Sequence, residues 1–61
     1  MPIIRIELLP GRTVEQKREV AEVFTAEICR IARCTPEDVN VVFTDIDKSD
    51  WAFAGKLMSD S

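Results

Sequence analysis

The chain has 61 residues, of which 46% are hydrophobic and 31% charged, and its 8 basic and 11 acidic side chains give a net charge of −3. This length predicts a single domain over residues 1–61, and a mildly acidic chain without a basic patch argues against binding to nucleic acid. The absence of histidine excludes Ser-His and Cys-His nucleophiles and most zinc sites, and no metal site is evident.

Residues 2–9 predict the first β-strand. Ile4, Ile6 and Leu8 alternate with a more polar face that carries Arg5 and Glu7, as expected of a half-buried strand. Pro2 fits only the beginning of such a strand, where its missing N–H costs little. The Pro-Gly pair at positions 10 and 11 then predicts a turn.

Residues 14–33 predict one long amphipathic helix. Thr13 and Gln16 have the spacing of a capping box at its start. An apolar stripe recurs at helical spacing, and we expect it to lie on a sheet. Its members are Val20, Phe24, Ile28 and Ile31.

Residues 35–38 predict a single helical turn that begins around Pro36, and residues 39–46 predict a buried, β-branched second strand. Strand, helix and strand in this order form a βαβ unit, with parallel strands and a right-handed crossover. The predicted fold class is therefore α/β, built from one βαβ unit.

The tail, residues 47–61, predicts a loop with a short hairpin around Gly55. Trp51 and Phe53 place large apolar groups in a segment without a core of its own, and a two-stranded sheet leaves one face bare. A chain this short is marginal alone. We therefore expect oligomerisation to complete the sheet.

Cys29 and Cys34 are the only cysteines of the chain. Because they are five positions apart at the end of a helix, we expect their side chains to point in different directions. The sequence predicts two reduced thiols, as in a cytoplasmic protein. Its start lacks the features of a secretory signal, and its apolar runs are too short to span a membrane.

Pro2 is the one residue that could carry unusual chemistry. A methionine before a small residue is usually removed, and removal of Met1 would leave a free secondary amine on Pro2. An α-amine ionises near neutrality, with a pKa of about 7.7–8.0 in models, and apolar or cationic surroundings would lower that pKa. A neutral amine can act as a general base or a nucleophile.

Three sequence features together resemble the 4-oxalocrotonate tautomerase family. They are Pro2 directly after Met1, the run Gly-Arg-Thr-Val-Glu-Gln-Lys at positions 11–17, and Ala-Gly-Lys at positions 54–56. The resemblance covers essentially the whole chain. It implies a βαβ fold, assembly of identical chains as a hexamer (a trimer of dimers), and a cofactor-independent isomerase of aromatic degradation.

The resemblance also implies roles for individual residues. Pro2 matches the amino-terminal proline that moves a proton between oxygen and carbon of a small unsaturated 2-hydroxy or 2-oxo acid, such as 2-hydroxymuconate. Arg12 matches the arginine that binds the substrate carboxylate, for which a guanidinium is well suited. Trp51 matches an aromatic residue, commonly Phe, that keeps the pocket apolar.

Asn40 departs from the family pattern. The best-known members carry a second arginine at this place, which polarises the 2-oxo group of the substrate. An asparagine can donate a hydrogen bond but carries no charge, and losing such a donor costs a few kcal/mol in comparable sites. Either the substrate differs, or another cation such as Arg5 or Lys56 substitutes, or the reaction on the usual substrate is slow.

Two alternatives to the isomerase remain open at the level of sequence. Relatives in the same superfamily hydrate or dehalogenate acrylate-type acids with a tail carboxylate, but the corresponding position here is Phe53. A non-catalytic subunit, or one chain of a mixed assembly whose partner supplies the missing arginine, is the other. The isomerase hypothesis requires the removal of Met1, because a retained methionine makes the Pro2 nitrogen an amide.

Overall fold

Two parallel strands and one long helix form the body of the structure, a computed structural model that describes residues 1–60. The elements of this body are β1 (Ile3–Leu8), α1 (Val14–Ala32) and β2 (Asn40–Asp45). Strands β1 and β2 pair in parallel, with Ile3 opposite Asn40. This arrangement confirms the predicted α/β class and its βαβ unit.

The pairing of the two strands extends just beyond their ends. The Asn40 N–H donates to the Pro2 carbonyl at 3.0 Å, and the Ile46 N–H donates to the Leu8 carbonyl at 2.8 Å. Along β1, Ile4, Ile6 and Leu8 are half-buried and the residues between them are exposed. The alternation predicted from sequence is therefore confirmed.

The start of α1 is fixed by its own side chains. The Gln16 N–H donates to the Thr13 hydroxyl at 3.1 Å, and the Thr13 N–H donates to the Gln16 side-chain oxygen at 2.8 Å. These reciprocal bonds are the predicted capping box, and they satisfy two amides that a helix start otherwise leaves free.

The apolar stripe of α1 only partly lies on the sheet. Val20 and Ile28 are half-buried, whereas Phe24 is 45% exposed and Ile31 is 66% exposed. A helix of this length spans about 28 Å, and the six-residue strands span about 20 Å. The helix therefore overhangs the sheet, and the prediction that Ile31 packs on it is wrong.

The end of α1 turns back on itself at Arg33. This residue has φ 56° and ψ 50°, the left-handed conformation, and the N–H groups of Arg33 and Cys34 both point to the Cys29 carbonyl. The reversal places the Cys34 sulfur 3.7 Å from the Cys29 sulfur. The expectation that the two cysteines point apart is wrong, because it assumed that the helical geometry continued through residue 33.

We expect Arg33→Gly to stabilise the fold, because a side chain in the left-handed region costs about 1 kcal/mol that glycine avoids. Urea unfolding at a fixed protein concentration measures the change as a higher midpoint. Arg18→Gly, in the middle of α1, is the matched control and should lower stability by about 1 kcal/mol. A lower midpoint for Arg33→Gly would contradict this explanation of the turn.

The connection before β2 and the tail both contain the turns that the sequence predicts. A 3-10 turn at Pro36–Asp38 leads into β2, as predicted. In the tail, β3 (Ala52–Phe53) and β4 (Lys56–Leu57) pair antiparallel. Ala54 and Gly55 between them both have positive φ, 54° and 81°, as a two-residue type I′ turn requires. The predicted hairpin around Gly55 is confirmed.

The single chain is open and thin. None of the residues 1–60 is buried from solvent, and the accessible surface is 4896 Å², against about 4,000 Å² for a compact chain of this mass. The radius of gyration is 14.7 Å, against about 10–11 Å for a compact domain of this length. The elements therefore form without enclosing a core.

Neither α1 nor the shorter helical turns within residues 1–60 have the length and apolarity needed to cross a bilayer.

Candidate active site

Pro2 and Asn40 lie together where the two parallel strands begin. Asn40 is the first residue of β2, and its N–H is bonded to the Pro2 carbonyl. Pro2 is half-buried and Asn40 is exposed. The strand pairing thus brings an amide side chain to the end of the sheet that carries Pro2.

Met1 is the residue that decides the chemistry of Pro2. It is 85% exposed, and it contributes no strand pairing to β1. Cleavage after Met1 would therefore leave β1 unchanged and place the secondary amine of Pro2 at the head of the sheet.

Arg12 lies at the opposite end of β1. It follows Gly11, whose φ of 121° suits glycine, and it directly precedes the helix cap. Arg12 borders a cleft of about 500 Å³ between α1 and the sheet. Most of the cleft wall is apolar, with Ile6, Leu8, Val20, Phe24 and Phe43 among its residues.

Of the two basic side chains Lys17 and Arg12 at this cleft, only Lys17 forms an ion pair within residues 1–60. The Lys17 ammonium is 3.2 Å from a carboxylate oxygen of Asp45 at the end of β2. Arg12 is exposed, and within residues 1–60 it has no side-chain ion pair or hydrogen bond. Its guanidinium therefore keeps its donors free for an external carboxylate.

The Lys17–Asp45 pair was not found by sequence reasoning. Lys17 belongs to the motif at positions 11–17, and Asp45 belongs to the predicted second strand. Their contact joins residues 28 positions apart, and no local pattern encodes such a pairing. A lysine in the first turn of the helix and an acidic residue at the end of the strand were the only available signals.

Trp51 lies in a second cleft, of about 580 Å³, on the tail. The cleft is shared with Leu9, Phe53, Lys56 and Met58. Trp51 is half-buried, and its carbonyl accepts a bond from the Met58 N–H at 2.8 Å, which extends the hairpin. The hairpin thus fixes the position of this aromatic side chain beside the end of β1.

The four residues predicted for the site do not meet within one chain. Pro2 borders neither cleft, and the six residues of β1 separate it by about 20 Å from the end that carries Arg12. One chain offers the head of β1 with Pro2 and Asn40, a cleft bordered by Arg12, and a second cleft that contains Trp51. No three Cys, Asp or Glu side chains of the described residues are close enough together to hold a metal ion.

Comparison with known proteins places this fold and sequence among tautomerases. A family model described as tautomerase enzyme matches residues 2–61. A probable tautomerase of Halalkalibacterium halodurans is 37% identical over 60 residues, which is 98% of each chain. The 2-hydroxymuconate tautomerase of Bacillus subtilis is 35% identical over 60 residues, covering 98% of this chain and 97% of the relative.

Solved structures agree with the sequence comparison. A crystal structure of a homologue of 4-oxalocrotonate tautomerase superposes with a TM-score of 0.93 at 33% identity, covering 98% of both chains. A heterohexameric 4-oxalocrotonate tautomerase from Chloroflexus aurantiacus superposes with a TM-score of 0.88 at 27% identity, covering 98% of this chain and 97% of that one.

Proposed function

Because the chain belongs to the tautomerase family, we propose that it catalyses the 1,3-keto–enol tautomerisation of a small unsaturated 2-hydroxy or 2-oxo acid. The proposed substrate is 2-hydroxymuconate or a close analogue. The relative from Bacillus subtilis that bears the name 2-hydroxymuconate tautomerase supports this choice. No cofactor is needed, because the reaction only moves a proton.

The position of Pro2 carries the proposal. It is half-buried at the head of β1, directly after the exposed Met1. Once Met1 is removed, the neutral amine takes the proton from the 2-hydroxyl group of the dienol. The resulting ammonium then returns a proton to carbon, so that Pro2 acts first as base and then as acid.

We assign Arg12 to the carboxylate of the substrate. A guanidinium can grip a carboxylate with two parallel hydrogen bonds, and the donors of Arg12 are free. Because Arg12 and Pro2 are at opposite ends of β1, a site that contains both requires Arg12 from a neighbouring chain. The proposed working unit is therefore a homo-oligomer, and a hexamer built as a trimer of dimers is its proposed form.

Trp51 and Asn40 complete the proposed pocket. Trp51 is held by the hairpin and supplies an apolar wall, which keeps water away from the amine and favours its neutral form. Asn40, beside Pro2, donates a hydrogen bond to the substrate oxygen where charge develops. An uncharged donor stabilises that charge less than an arginine does, so slower turnover is expected than with an arginine there.

The ketonisation of 2-hydroxymuconate, followed by its ultraviolet absorbance, tests this function. We expect a kcat/KM of about 10⁴ M⁻¹s⁻¹ or more for protein whose intact mass shows that Met1 is absent. Absence of turnover in such a sample would contradict the proposed substrate, and other enolisable 2-oxo acids would then be compared.

A mixed assembly is the second candidate, and the uncharged Asn40 beside Pro2 favours it. The relative from Chloroflexus aurantiacus is a heterohexamer, so the fold accommodates unlike chains. In this version, a sister chain supplies the arginine that position 40 lacks. Activity that appears only when the purified chain is assembled with such a sister chain would support it, and activity of the chain alone would exclude the need for one.

A further inference from the structure

The cysteine pair at the end of α1 lies outside the proposed active site. Cys29 and Cys34 are both half-buried and free, and their sulfur atoms are 3.7 Å apart. The Cys34 sulfur also lies 3.9 Å from the Ile28 carbonyl oxygen. Nothing in the proposed isomerase chemistry uses either thiol.

The backbone holds the two sulfurs together. The Cys34 N–H donates to the Cys29 carbonyl at 3.2 Å, across the left-handed Arg33. A helix end of this kind normally places an apolar contact between these two positions. Here cysteines occupy both positions, so the contact becomes a pair of thiols whose distance is set by the helix cap.

We propose that Cys29 and Cys34 form a dithiol modification site that a low-molecular-weight disulfide, such as oxidised glutathione, converts into an intrachain disulfide. An S–S bond is about 2.05 Å long, so the sulfurs must approach by less than 2 Å. Rotation of the side chains supplies a movement of this size, since the cap already holds the two backbones together.

The oxidation proceeds by two exchanges. The Cys34 thiolate attacks one sulfur of oxidised glutathione, forms a mixed disulfide and releases one glutathione thiolate. Cys29 then gives its proton to solvent, and its thiolate attacks the Cys34 sulfur, which expels the second glutathione. The protein loses two protons and two electrons, and one oxidised glutathione becomes two reduced ones.

The ionisation of Cys29 controls the second exchange. Burial and the negative charges of Asp38 and Glu37 raise the pKa of the Cys29 thiol, and these causes remain when Cys34 is joined to glutathione. A thiol must ionise before it attacks. Closure of the disulfide should therefore accelerate by about tenfold per pH unit between pH 7 and 8, where Cys29 is mostly protonated.

The disulfide would brace one end of the sheet. It closes the turn around Arg33, and the chain from Cys34 runs through the Pro36–Asp38 turn to Asn40, whose N–H is bonded to the Pro2 carbonyl. A short closed loop restricts the unfolded chain. We expect the oxidised protein to melt about 5–10 °C higher than the reduced protein.

The test treats the full chain with oxidised glutathione and follows intact mass and free thiols. The wild-type protein should lose the mass of two hydrogens per chain, whereas Cys29→Ser and Cys34→Ser should stop at a stable glutathione adduct. A wild-type chain that accumulates adducts as the variants do would overturn the proposal. Wild-type dimers that a reductant converts back to monomers would also overturn the proposal.

A measurement on the wild-type chain alone covers the case in which a variant fails to fold. The ratio of closed disulfide to dithiol, at several ratios of reduced to oxidised glutathione, gives the effective concentration of one thiol at the other. We expect this value to be at least about tenfold higher in buffer than in concentrated urea. Equal values would show that the helix cap does not hold the pair together.

Discussion

Pro2→Ala in the mature protein is expected to lower kcat/KM for 2-hydroxymuconate by about 10²–10⁴-fold, the range that positioned acid–base groups contribute. Alanine keeps an amine at the chain end but loses the ring that fixes φ and directs the nitrogen at the head of β1. Steady-state rates, with removal of Met1 verified by intact mass in both proteins, measure the effect.

Pro36→Ala is the matched control for this experiment. Pro36 is exposed at the start of the 3-10 turn before β2, far along the chain from the proposed amine, and its loss should leave kcat/KM near the wild-type value. A second comparison uses one sequence in two forms, with Met1 removed or retained. The retained form has an amide at Pro2 and should lose the contribution of the base. Equal activity of the two forms would refute the role of Pro2.

Arg12→Ala should lower kcat/KM by about 10–150-fold, mainly through a higher KM, since a hydrogen bond to a charged group contributes about 1.5–3 kcal/mol. Arg18→Ala removes the same charge from an exposed position on α1 and should change kcat/KM little. If both variants behave alike, the loss reflects net charge rather than a specific grip on the carboxylate.

Mixing the two impaired variants tests whether the site is shared between chains. In an assembly formed by refolding equal amounts of Pro2→Ala and Arg12→Ala, random assortment pairs an intact Pro2 with an intact Arg12 in about a quarter of the shared sites. Recovery of activity toward that level supports a site built from two chains. If each chain carried its own complete site, the mixture would show only the mean of the two variants' activities.

Local chemistry explains why much of the fold could be predicted. The bonds between Thr13 and Gln16 join residues three apart, and the alternation along β1 needs only the order of its side chains. The hairpin turn likewise follows from Gly55, which favours the positive φ of a tight turn. In each case the relevant interaction lies within a few residues, where a sequence pattern can express it.

The features that sequence reasoning missed depend on backbone geometry or on distant contacts. The cysteine contact follows from the left-handed conformation of Arg33. An arginine in the sequence does not predict that conformation, whereas a glycine would favour it. The Lys17–Asp45 pair required the packing of α1 against β2. For the site, the motif identified Pro2 and Arg12 individually, but only the direction of β1 revealed that one chain holds them apart.

The open form of the chain also bears on how its stability depends on protein concentration. None of the residues 1–60 is buried in the single chain, so the free energy that fixes the fold must come largely from contacts between copies in the proposed assembly. Folding and association are then one equilibrium, and its midpoint shifts with protein concentration by mass action. Side chains such as Val23, Phe24 and Ile31 face solvent in the isolated chain. If the proposed assembly covers them, they become part of a core that no single copy contains, and dilution would then destabilise the fold.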